Sequence, residues 1–218
     1  MSNNNNTTNN KKKPGSDGKV YYSYSDIHNT LSNLAPTLLQ DFRPDVMIAI
    51  GGGGYIPARI LRTYLKVPIL AVSLELYDDT TNSVSSDGVI CHQWYDASSV
   101  PGSRVEGGRV LIIDEVDDTR TTLQYCVEEL LKRGRPGRIG VCVVHNKRKE
   151  KLGVLPENVD YFAGEEVEDY WNCYPWDAGA YTSSSTDSND RPNTIYQHEE
   201  LARKCSGFSS GKEELAEP

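Results

Sequence analysis

Four largely apolar runs are the most regular feature of the chain, and they predict buried β-strands. They cover residues 46–50 (VMIAI), 69–74 (ILAVSL), 110–113 (VLII) and 139–144 (IGVCVV). Runs of this length with little polar interruption are typical of strands that are buried on both faces of a parallel sheet.

Helical spacing follows two of these strands. After the third run, apolar residues recur at i, i+4, i+7 and i+8, namely Leu123, Val127, Leu130 and Leu131. A helix therefore begins within the threonine-rich stretch before Leu123 and packs one face on the sheet. Residues 56–65 have similar spacing, and residues 25–36 predict a further helix. Alternating strands and helices predict an α/β fold with a central, mostly parallel sheet flanked by helices.

The two ends of the chain lack a pattern that would build a core. Residues 1–19 are rich in Asn, Thr and Lys and contain no apolar side chain after Met1, so they are predicted to be a disordered tail. Residues 182–218 are polar and predict a flexible C-terminal tail, with a short helix around residues 195–201 as an alternative. The globular domain is expected to span residues 20–181.

Composition narrows the class of protein. A chain of 218 residues suits one domain, and a net charge of −8 argues against a nucleic-acid partner. No apolar run reaches membrane-spanning length and no secretory signal begins the chain, so a cytoplasmic location without a membrane partner is expected. The five cysteines include no CxxC pair, and Cys126 and Cys142 lie in apolar patterns that predict small core residues.

The third apolar run carries acidic side chains at its C-terminal end. Asp114 and Glu115 come first, and residues 118–122 (DTRTT) lead into the predicted helix. The unpaired backbone N–H groups of a helix N-terminus, with hydroxyls beside them, suit a phosphate monoester. Asp114 and Glu115 would repel such a phosphate unless they bind ribose hydroxyls and a divalent cation such as Mg²⁺. The alternative is an acidic strand end capped by Asp118 or Thr119, as in many α/β proteins.

Residues 110–122 resemble the 5-phosphoribosyl-1-pyrophosphate (PRPP) signature of the type I phosphoribosyltransferases. The shared pattern is an aliphatic run, two acids, two variable residues and Asp-Thr-x-x-Thr. The resemblance implies the fold of that family, with a core at about residues 45–145 and a small hood at about residues 20–36 and 150–181.

The same resemblance assigns roles to the motif. It implies PRPP binding by Asp114, Glu115, Asp118, Thr119, Arg120, Thr121 and Thr122, with Mg²⁺ at Asp114 and Glu115. Asp118 is then the catalytic general acid/base. Arg120 departs from the glycine that is frequent in the signature. It either adds charge near the phosphate, as a feature of the fungal-type branch, or narrows the loop.

A glycine-rich turn follows the first strand. In the resembling family this turn binds pyrophosphate, which here implies Gly51, Gly52 and Gly53. Many relatives carry Lys or Arg where this chain has Gly52, so a side-chain charge must come from elsewhere; Arg59 and Arg62 are the nearest in sequence. Two other nucleotide sites are disfavoured, because no Gly-Lys-Ser/Thr triplet follows and a dinucleotide GxGxxG motif would need glycine at Ile56. Glu75, in the place of a ribose-binding acid, keeps the dinucleotide alternative open.

The resemblance also implies a site for a 6-oxopurine. Lys147, at the end of the fourth strand, is the match for a lysine that donates to O6, with Asn146 as the alternative. The segment 169–177 (DYWNCYPWD) resembles the hood of the xanthine-guanine and fungal-type hypoxanthine enzymes. By that resemblance Trp171 stacks on the purine, Asn172 meets its C2 edge, and Trp176 packs within the hood.

Residues 77–108 form a long polar connection. Family members have a mobile loop here that closes over the reacting centre, so a lid is expected, with residues 89–95 as the returning arm of a hairpin. Plain disorder of residues 78–88 is the alternative.

Together the motifs imply Mg²⁺-dependent transfer of phosphoribosyl from PRPP to hypoxanthine, xanthine or guanine in purine salvage, by a homodimer or homotetramer. One alternative is a nucleotide-sensing regulator on the same fold. A Rossmann-type dehydrogenase is the other.

Overall fold

The computed structural model of the protein describes residues 12–78, 83–84, 88–179 and 194–207. The helices are α1 (Tyr24–Thr37), α2 (Tyr55–Leu65), α3 (Thr121–Gly134) and α4 (Ile195–Cys205). The strands are β1 (Lys19–Tyr21), β2 (Val46–Gly51), β3 (Ile69–Glu75), β4 (Tyr77–Asp78), β5 (Ser83–Val84), β6 (Ile90–Gln93), β7 (Arg109–Asp117), β8 (Arg138–Lys147), β9 (Val159–Val167) and β10 (Trp171–Cys173). The chain divides into two compact units, residues 27–169 and residues 1–26 with 170–218.

The larger unit is built on a six-stranded sheet in the order β6-β3-β2-β7-β8-β9. Strands β3, β2, β7, β8 and β9 are parallel to one another, and β6 is antiparallel to β3. The four apolar runs are β2, β3, β7 and β8, and the predicted mostly parallel α/β sheet is confirmed.

The strand register brings the ends of three strands to one edge of the sheet. Ala49 of β2 lies opposite Ile113 of β7, and Asp117 of β7 lies opposite Asn146 of β8. Because these strands are parallel, the turn after β2 and the polar ends of β7 and β8 meet at the carboxyl edge. Ligands of open α/β sheets bind at this edge.

Gly54 allows α2 to start directly on top of the sheet. A Cβ at this position would overlap the carbonyl oxygen of Ile113 and lie 2.6 Å from that of Ile50. Both obstacles are backbone atoms of central strands and have little freedom to move. The turn of residues 51–54 can therefore be as tight as it is only with glycine at its last position.

Helix α3 covers one face of the sheet with Leu123, Cys126, Val127 and Leu130, all of them buried. The prediction that Leu131 shares this face is wrong, since 44% of its surface is exposed. Cys126, three residues after Leu123, completes the buried face of α3 instead. Leu131 lies at the border between this face and solvent.

The two adjacent leucines of α3 provide a matched test of this packing. Leu130→Ala is expected to lower the free energy of unfolding by about 2–5 kcal/mol, because it leaves a cavity in the main core. Leu131→Ala should cost less than about 1 kcal/mol. Denaturant unfolding of both variants measures the difference, and similar losses for the two would contradict the described orientation of α3.

The smaller unit combines segments from both ends of the chain. Strand β1 pairs in parallel with β10, with Lys19 opposite Trp171 and Tyr21 opposite Cys173. Helix α4 packs on β1 through Ala202 and Cys205, which are buried with Tyr21. A capping box formed by the side chains of Thr194 and Gln197 begins α4.

The structure differs from the expected tails at both ends. Residues 194–207 contain α4 instead of a flexible segment, and the helix extends beyond the alternative of residues 195–201. Lys12 belongs to the segment that was expected to be a disordered tail. Its ammonium donates to the Ala202 carbonyl at 2.8 Å and lies 2.8 Å from the Asp26 carboxylate. Basic charge near the C-terminal carbonyls of a helix is stabilising, so this contact favours the described position of Lys12. Residues 1–11, 180–193 and 208–218 lie outside the described residues.

The connection between β3 and β7 contains short antiparallel pairs. Strand β4 pairs with β5, and β6 returns along the edge of the sheet beside β3. The expected returning arm, residues 89–95, thus contains a strand, whereas residues 79–82 and 85–87 of the expected lid lie outside the described residues. None of the helices that the structure describes is long and apolar enough to cross a membrane.

Candidate active site

A cavity of about 430 Å³ opens at the carboxyl edge of the sheet. Its lining residues come from the ends of β2, β3 and β7, from β6 and from the start of α3: Ile50, Gly51, Gly52, Gly53, Ser73, Leu74, Glu75, Leu76, His92, Asp114, Glu115, Val116, Asp117, Asp118, Thr119, Arg120, Thr121, Thr122 and Leu123. The structure thus brings together the residues expected to bind PRPP, Mg²⁺ and pyrophosphate.

Residues 118–122, here called the phosphate loop, connect β7 to α3. Arg120 has a left-handed backbone (φ 69°) and immediately precedes the first residue of α3. The hydroxyl oxygens of Thr119 and Thr121 lie 3.0 Å apart. A sharp turn therefore places two hydroxyls and a helix N-terminus at one side of the cavity, which is the arrangement that suits an anion.

The carbonyl groups around the phosphate loop are bonded to protein donors. The Lys151 ammonium donates to the carbonyls of Asp117 and Asp118 at 2.7 and 3.0 Å. The Thr119 carbonyl accepts from the backbone N–H groups of residues 152 and 153, and the Arg120 carbonyl accepts from that of residue 124. The four consecutive carbonyl oxygens of residues 117–120 thus accept hydrogen bonds from the protein, so none of them needs to face a bound anion.

Asp114 and Glu115 supply the acidic side of the cavity. The Asp114 carboxylate accepts the Glu115 backbone N–H at 2.9 Å, and little of its surface is exposed. Burial, followed by the neighbouring Glu115 carboxylate, raises the pKa of Asp114 well above its usual range. Two acids this close in a partly dry cavity are most stable with a cation or with hydroxyl donors between them.

The glycine turn approaches the same acids. The peptide bond between Gly51 and Gly52 is cis. A Cβ at Gly53 would overlap the Glu115 carboxylate, whereas a Cβ at Gly52 would meet no atom within 4 Å. Glycine at position 53 therefore makes room for the Glu115 side chain, and the backbone at position 52 borders open space.

Two lysines surround the predicted general acid/base. The Lys149 and Lys147 ammonium nitrogens lie 2.9 and 3.4 Å from Asp118 Oδ1. Both lysines also contact the Asp169 carboxylate, at 3.2 and 3.4 Å. The Asp118 carboxylate is the main cause of the raised pKa of Lys149, so this ammonium keeps its charge beside Asp118.

The structure separates the two candidates for purine O6 at the end of β8. The Asn146 amide donates to both carboxylate oxygens of Glu166, at 2.9 and 3.1 Å. Lys147 instead directs its ammonium to Asp118 at the cavity wall. Of the two candidates, only Lys147 therefore has its polar end beside the candidate catalytic residue.

An ion cluster beside the phosphate loop was missed from the sequence. Asp117 is fully buried and accepts two hydrogen bonds from the Arg120 guanidinium, at 2.9 and 2.7 Å, and one from the Tyr161 hydroxyl at 2.7 Å. The guanidinium also lies over the Tyr161 ring, 4.8 Å from its centroid. Asp117 and Arg120 occupy variable positions of the signature and Tyr161 lies outside it, so nothing in the motif pointed to this cluster.

The expected cationic partners of pyrophosphate are not in the cavity lining. Arg59 and Arg62 lie on the outer face of α2, where they border a separate shallow pocket with Lys66. The cavity instead contains a hydrogen bond between the side chains of Glu75 and His92, at the ends of β3 and β6. His92 is thus the histidine that reaches the side of the cavity next to the glycine turn.

Trp171 and Asn172 belong to the smaller unit, on β10. About half of the Trp171 surface is exposed (52%). The Asn172 side-chain amide is buried and, among the described residues, neither its nitrogen nor its oxygen has a hydrogen-bond partner. Trp176, in contrast, stacks on Tyr174 in the same unit with ring centroids 4.9 Å apart.

The carboxyl edge of this sheet defines an α/β protein with a cavity suited to a phosphorylated ligand beside paired carboxylates. The sequence identifies the protein family, because the family model described as phosphoribosyl transferase domain matches residues 23–180. The chain therefore belongs to the phosphoribosyltransferase family of enzymes, as the signature predicted.

Curated relatives and a solved structure agree with this assignment. The chain is 43% identical over 184 residues to a hypoxanthine-guanine phosphoribosyltransferase of Schizosaccharomyces pombe, covering 73% of this chain and 89% of the relative. It is 42% identical over 188 residues to xanthine phosphoribosyltransferase 1 of Saccharomyces cerevisiae, covering 73% and 90%. A hypothetical protein from Neisseria gonorrhoeae with bound ppGpp has a TM-score of 0.69 and 39% identity, covering 88% of this chain and 97% of that chain. The expected similarity to fungal-type relatives is confirmed.

Proposed function

We propose that the protein transfers the 5-phosphoribosyl group of PRPP to a 6-oxopurine base, forming a nucleoside 5′-monophosphate and pyrophosphate in purine salvage. The observation that carries this proposal is the single cavity shared by the phosphate loop, the acid pair and the glycine turn. The names of the fungal relatives, which act on hypoxanthine, guanine or xanthine, support the choice of base.

The donor set fits a Mg²⁺ ion that is shared with the substrate. Among the described residues, no cluster of three or more His, Cys, Asp or Glu side chains is arranged to hold a metal ion by itself. Asp114 and Glu115 provide hard oxygen ligands, and Mg²⁺ commonly combines one or two carboxylates with substrate oxygens and water. Bound there, the ion would neutralise charge that builds on the departing pyrophosphate.

The protein's own groups position the two reactants. The phosphate loop binds the 5′-phosphate, Asp114 and Glu115 bind the ribose hydroxyls, and Gly51, Gly52 and Gly53 bind pyrophosphate. The bond from C1 of the ribose to pyrophosphate oxygen breaks as the bond from C1 to purine N9 forms. Asp118 accepts the proton that the purine loses, at N7, and returns it in the reverse reaction.

Three residues are proposed to recognise the base. Lys147 donates to the exocyclic O6, which is consistent with its ammonium beside Asp118. The exposed ring of Trp171 offers a flat apolar surface for stacking. The Asn172 amide, which lacks a partner among the described residues, suits the C2 edge, because a buried amide is costly unless a ligand satisfies it.

The direct test is an ultraviolet assay with PRPP, Mg²⁺ and hypoxanthine, xanthine, guanine or adenine as separate substrates. We expect PRPP-dependent conversion of at least one 6-oxopurine and little conversion of adenine, which offers an amino donor where Lys147 needs an acceptor. Failure to convert any of the three 6-oxopurines would reject the proposed activity.

The two tryptophans near the C-terminal end of the domain give a matched prediction. Trp171→Ala is expected to raise the KM for the purine by about tenfold, since base stacking on an aromatic ring contributes about 1–3 kcal/mol. Trp176→Ala removes a ring that is stacked on Tyr174 and should chiefly lower thermal stability. Steady-state kinetics and thermal unfolding of both variants separate the effects. A change confined to stability in Trp171→Ala would make Trp171 a packing residue.

A second candidate is a nucleotide-sensing regulator on the same fold. It is favoured by one observation, the ppGpp bound to the 39% identical Neisseria protein. A regulator of this kind would bind ppGpp in calorimetry and yet show no PRPP-dependent turnover. An enzyme would show turnover, which ppGpp would inhibit in competition with PRPP if both occupy the same cavity.

A further inference from the structure

The left-handed backbone of Arg120 raises the question of what its side chain does. Left-handed conformations are unfavourable for residues with a Cβ, and glycine adopts them freely. Arg120 has a φ of 69° directly before α3, so glycine would satisfy the backbone of the turn at lower cost. Contacts made by the Arg120 side chain would explain why arginine occupies this position.

The Arg120 side chain contacts Asp117 and Tyr161. Both the Nε and Nη2 groups of Arg120 donate to Asp117 Oδ2, at 2.9 and 2.7 Å, and the guanidinium covers the Tyr161 ring. The Tyr161 hydroxyl donates to the same oxygen at 2.7 Å. Asp117 has no exposed side-chain surface, and a buried carboxylate is strongly destabilising unless it is paired. Its partners are these donors at Oδ2 and the Lys151 ammonium, 3.5 Å from Oδ1.

This ion cluster connects the two ends of the loop. Asp117 is the last residue of β7 and Arg120 is the last residue before α3, so their side-chain pair closes the turn between strand and helix. On the same side, Lys151 binds the carbonyls of Asp117, Asp118 and Lys147. The segment from β8 to β9 therefore supports the loop through Lys151, which is not among the residues that line the cavity.

We propose that Arg120 is a positioning residue, which holds the phosphate loop in its anion-binding conformation through Asp117 and Tyr161 instead of binding the phosphate itself. This inference rests on the proposed PRPP site. The sequence led to the expectation that Arg120 adds charge near the phosphate. The proposal differs because the Nε and Nη2 groups of Arg120 already donate to Asp117.

Arg120→Gly is the decisive variant, since glycine accepts the left-handed backbone and removes only the side chain. We expect the KM for PRPP to rise about tenfold, with a smaller change in kcat and in the KM for the purine, because hydrogen bonds to a charged partner are lost. Hydrogen exchange of the backbone amides of residues 118–122 should become faster in the protein without ligand. Tyr161→Phe, which removes one donor, should change both quantities in the same direction by a smaller factor.

Arg135→Gly is the matched control. Arg135 also has a left-handed backbone (φ 47°), but its side chain is exposed and pairs with exposed Glu106. Its replacement should leave the KM for PRPP and the exchange of residues 118–122 unchanged.

The combined readouts decide between the explanations. A raised KM with unchanged loop exchange would show that Arg120 binds the phosphate directly, which would overturn the inference. Wild-type values of both quantities in Arg120→Gly would also overturn it. Hydrogen exchange needs no turnover, so the inference is tested even if the wild-type protein fails to use PRPP, a result that would reject the proposed function alone.

Discussion

Replacing Asp118 by asparagine is expected to lower the turnover number by about a hundredfold or more, the usual contribution of a positioned general base. Asparagine has almost the same shape as aspartate but cannot accept the purine proton. The Asp118 side chain is one-third exposed, so the loss of its contacts with Lys149 and Lys147 should leave the fold intact. Initial rates at saturating PRPP and purine, together with thermal unfolding, test both statements.

Asp169 offers a close control for this experiment. Its carboxylate contacts the same two lysines, at 3.4 Å for Lys147 and 3.2 Å for Lys149. Asp169→Asn therefore removes the same charge from the same lysines without removing the proposed base, and it should retain most of the turnover. Equal losses in the two variants would assign the effect to the lysines, and an unchanged rate in Asp118→Asn would remove the catalytic role of Asp118.

The sheet and the main cavity residues could be predicted because their signals are local in sequence. Each buried strand is one apolar run, and the phosphate loop follows its strand without a break. The meeting of the glycine turn with the acid pair also follows from general rules, since the carboxyl ends of parallel strands share one edge. The family could be assigned from the contiguous signature alone, because the signature does not depend on the strand order.

The ion cluster beside the phosphate loop could not be predicted in the same way. Tyr161 is 44 residues from Asp117 in sequence, and only the pairing of β7, β8 and β9 brings the two together. Lys149 and Lys151 lie in a charged stretch that resembles an ordinary solvated loop. Long-range contacts of single polar residues leave no periodic pattern along the chain.

The docking of α4 escaped prediction for a different reason. Its buried residues, His198, Ala202 and Cys205, have helical spacing but are small or polar. Burial lowers the pKa of His198, and this neutral ring donates to the Tyr22 carbonyl at 2.9 Å. A helix face built from such residues carries a weak hydrophobic signal, although its packing on β1 is close.

Asp114→Asn is expected to abolish most of the activity and yet to stabilise the protein in the absence of ligand. Loss of one carboxylate from the proposed ribose and Mg²⁺ site should lower kcat/KM for PRPP by about a hundredfold, in line with the removal of an important electrostatic group. Asparagine retains the oxygen that accepts the Glu115 backbone N–H. The negative charge of the site is reduced, and its geometry is preserved.

The gain in stability follows from the raised pKa of Asp114, caused first by burial and then by Glu115. An acid whose pKa is higher in the folded than in the unfolded state destabilises the fold increasingly as pH rises above its ordinary value of about 4. The neutral amide of asparagine carries no such penalty. The difference in unfolding temperature between variant and wild type should therefore be larger at about pH 8 than at about pH 5.

Asp45→Asn should change the unfolding temperature in the opposite direction, which makes it an informative comparison. Arg109, through its side-chain hydrogen bonds, holds the pKa of Asp45 below the usual range, so the Asp45 carboxylate stabilises the folded state above that range. Its replacement should lower the unfolding temperature slightly at neutral pH and leave the kinetics unchanged. If Asp114→Asn also lowered the unfolding temperature at neutral pH, the negative charges of Asp114 and Glu115 would already be stabilised by the ligand-free protein. Asp114 and Glu115 would then need neither a cation nor a diol.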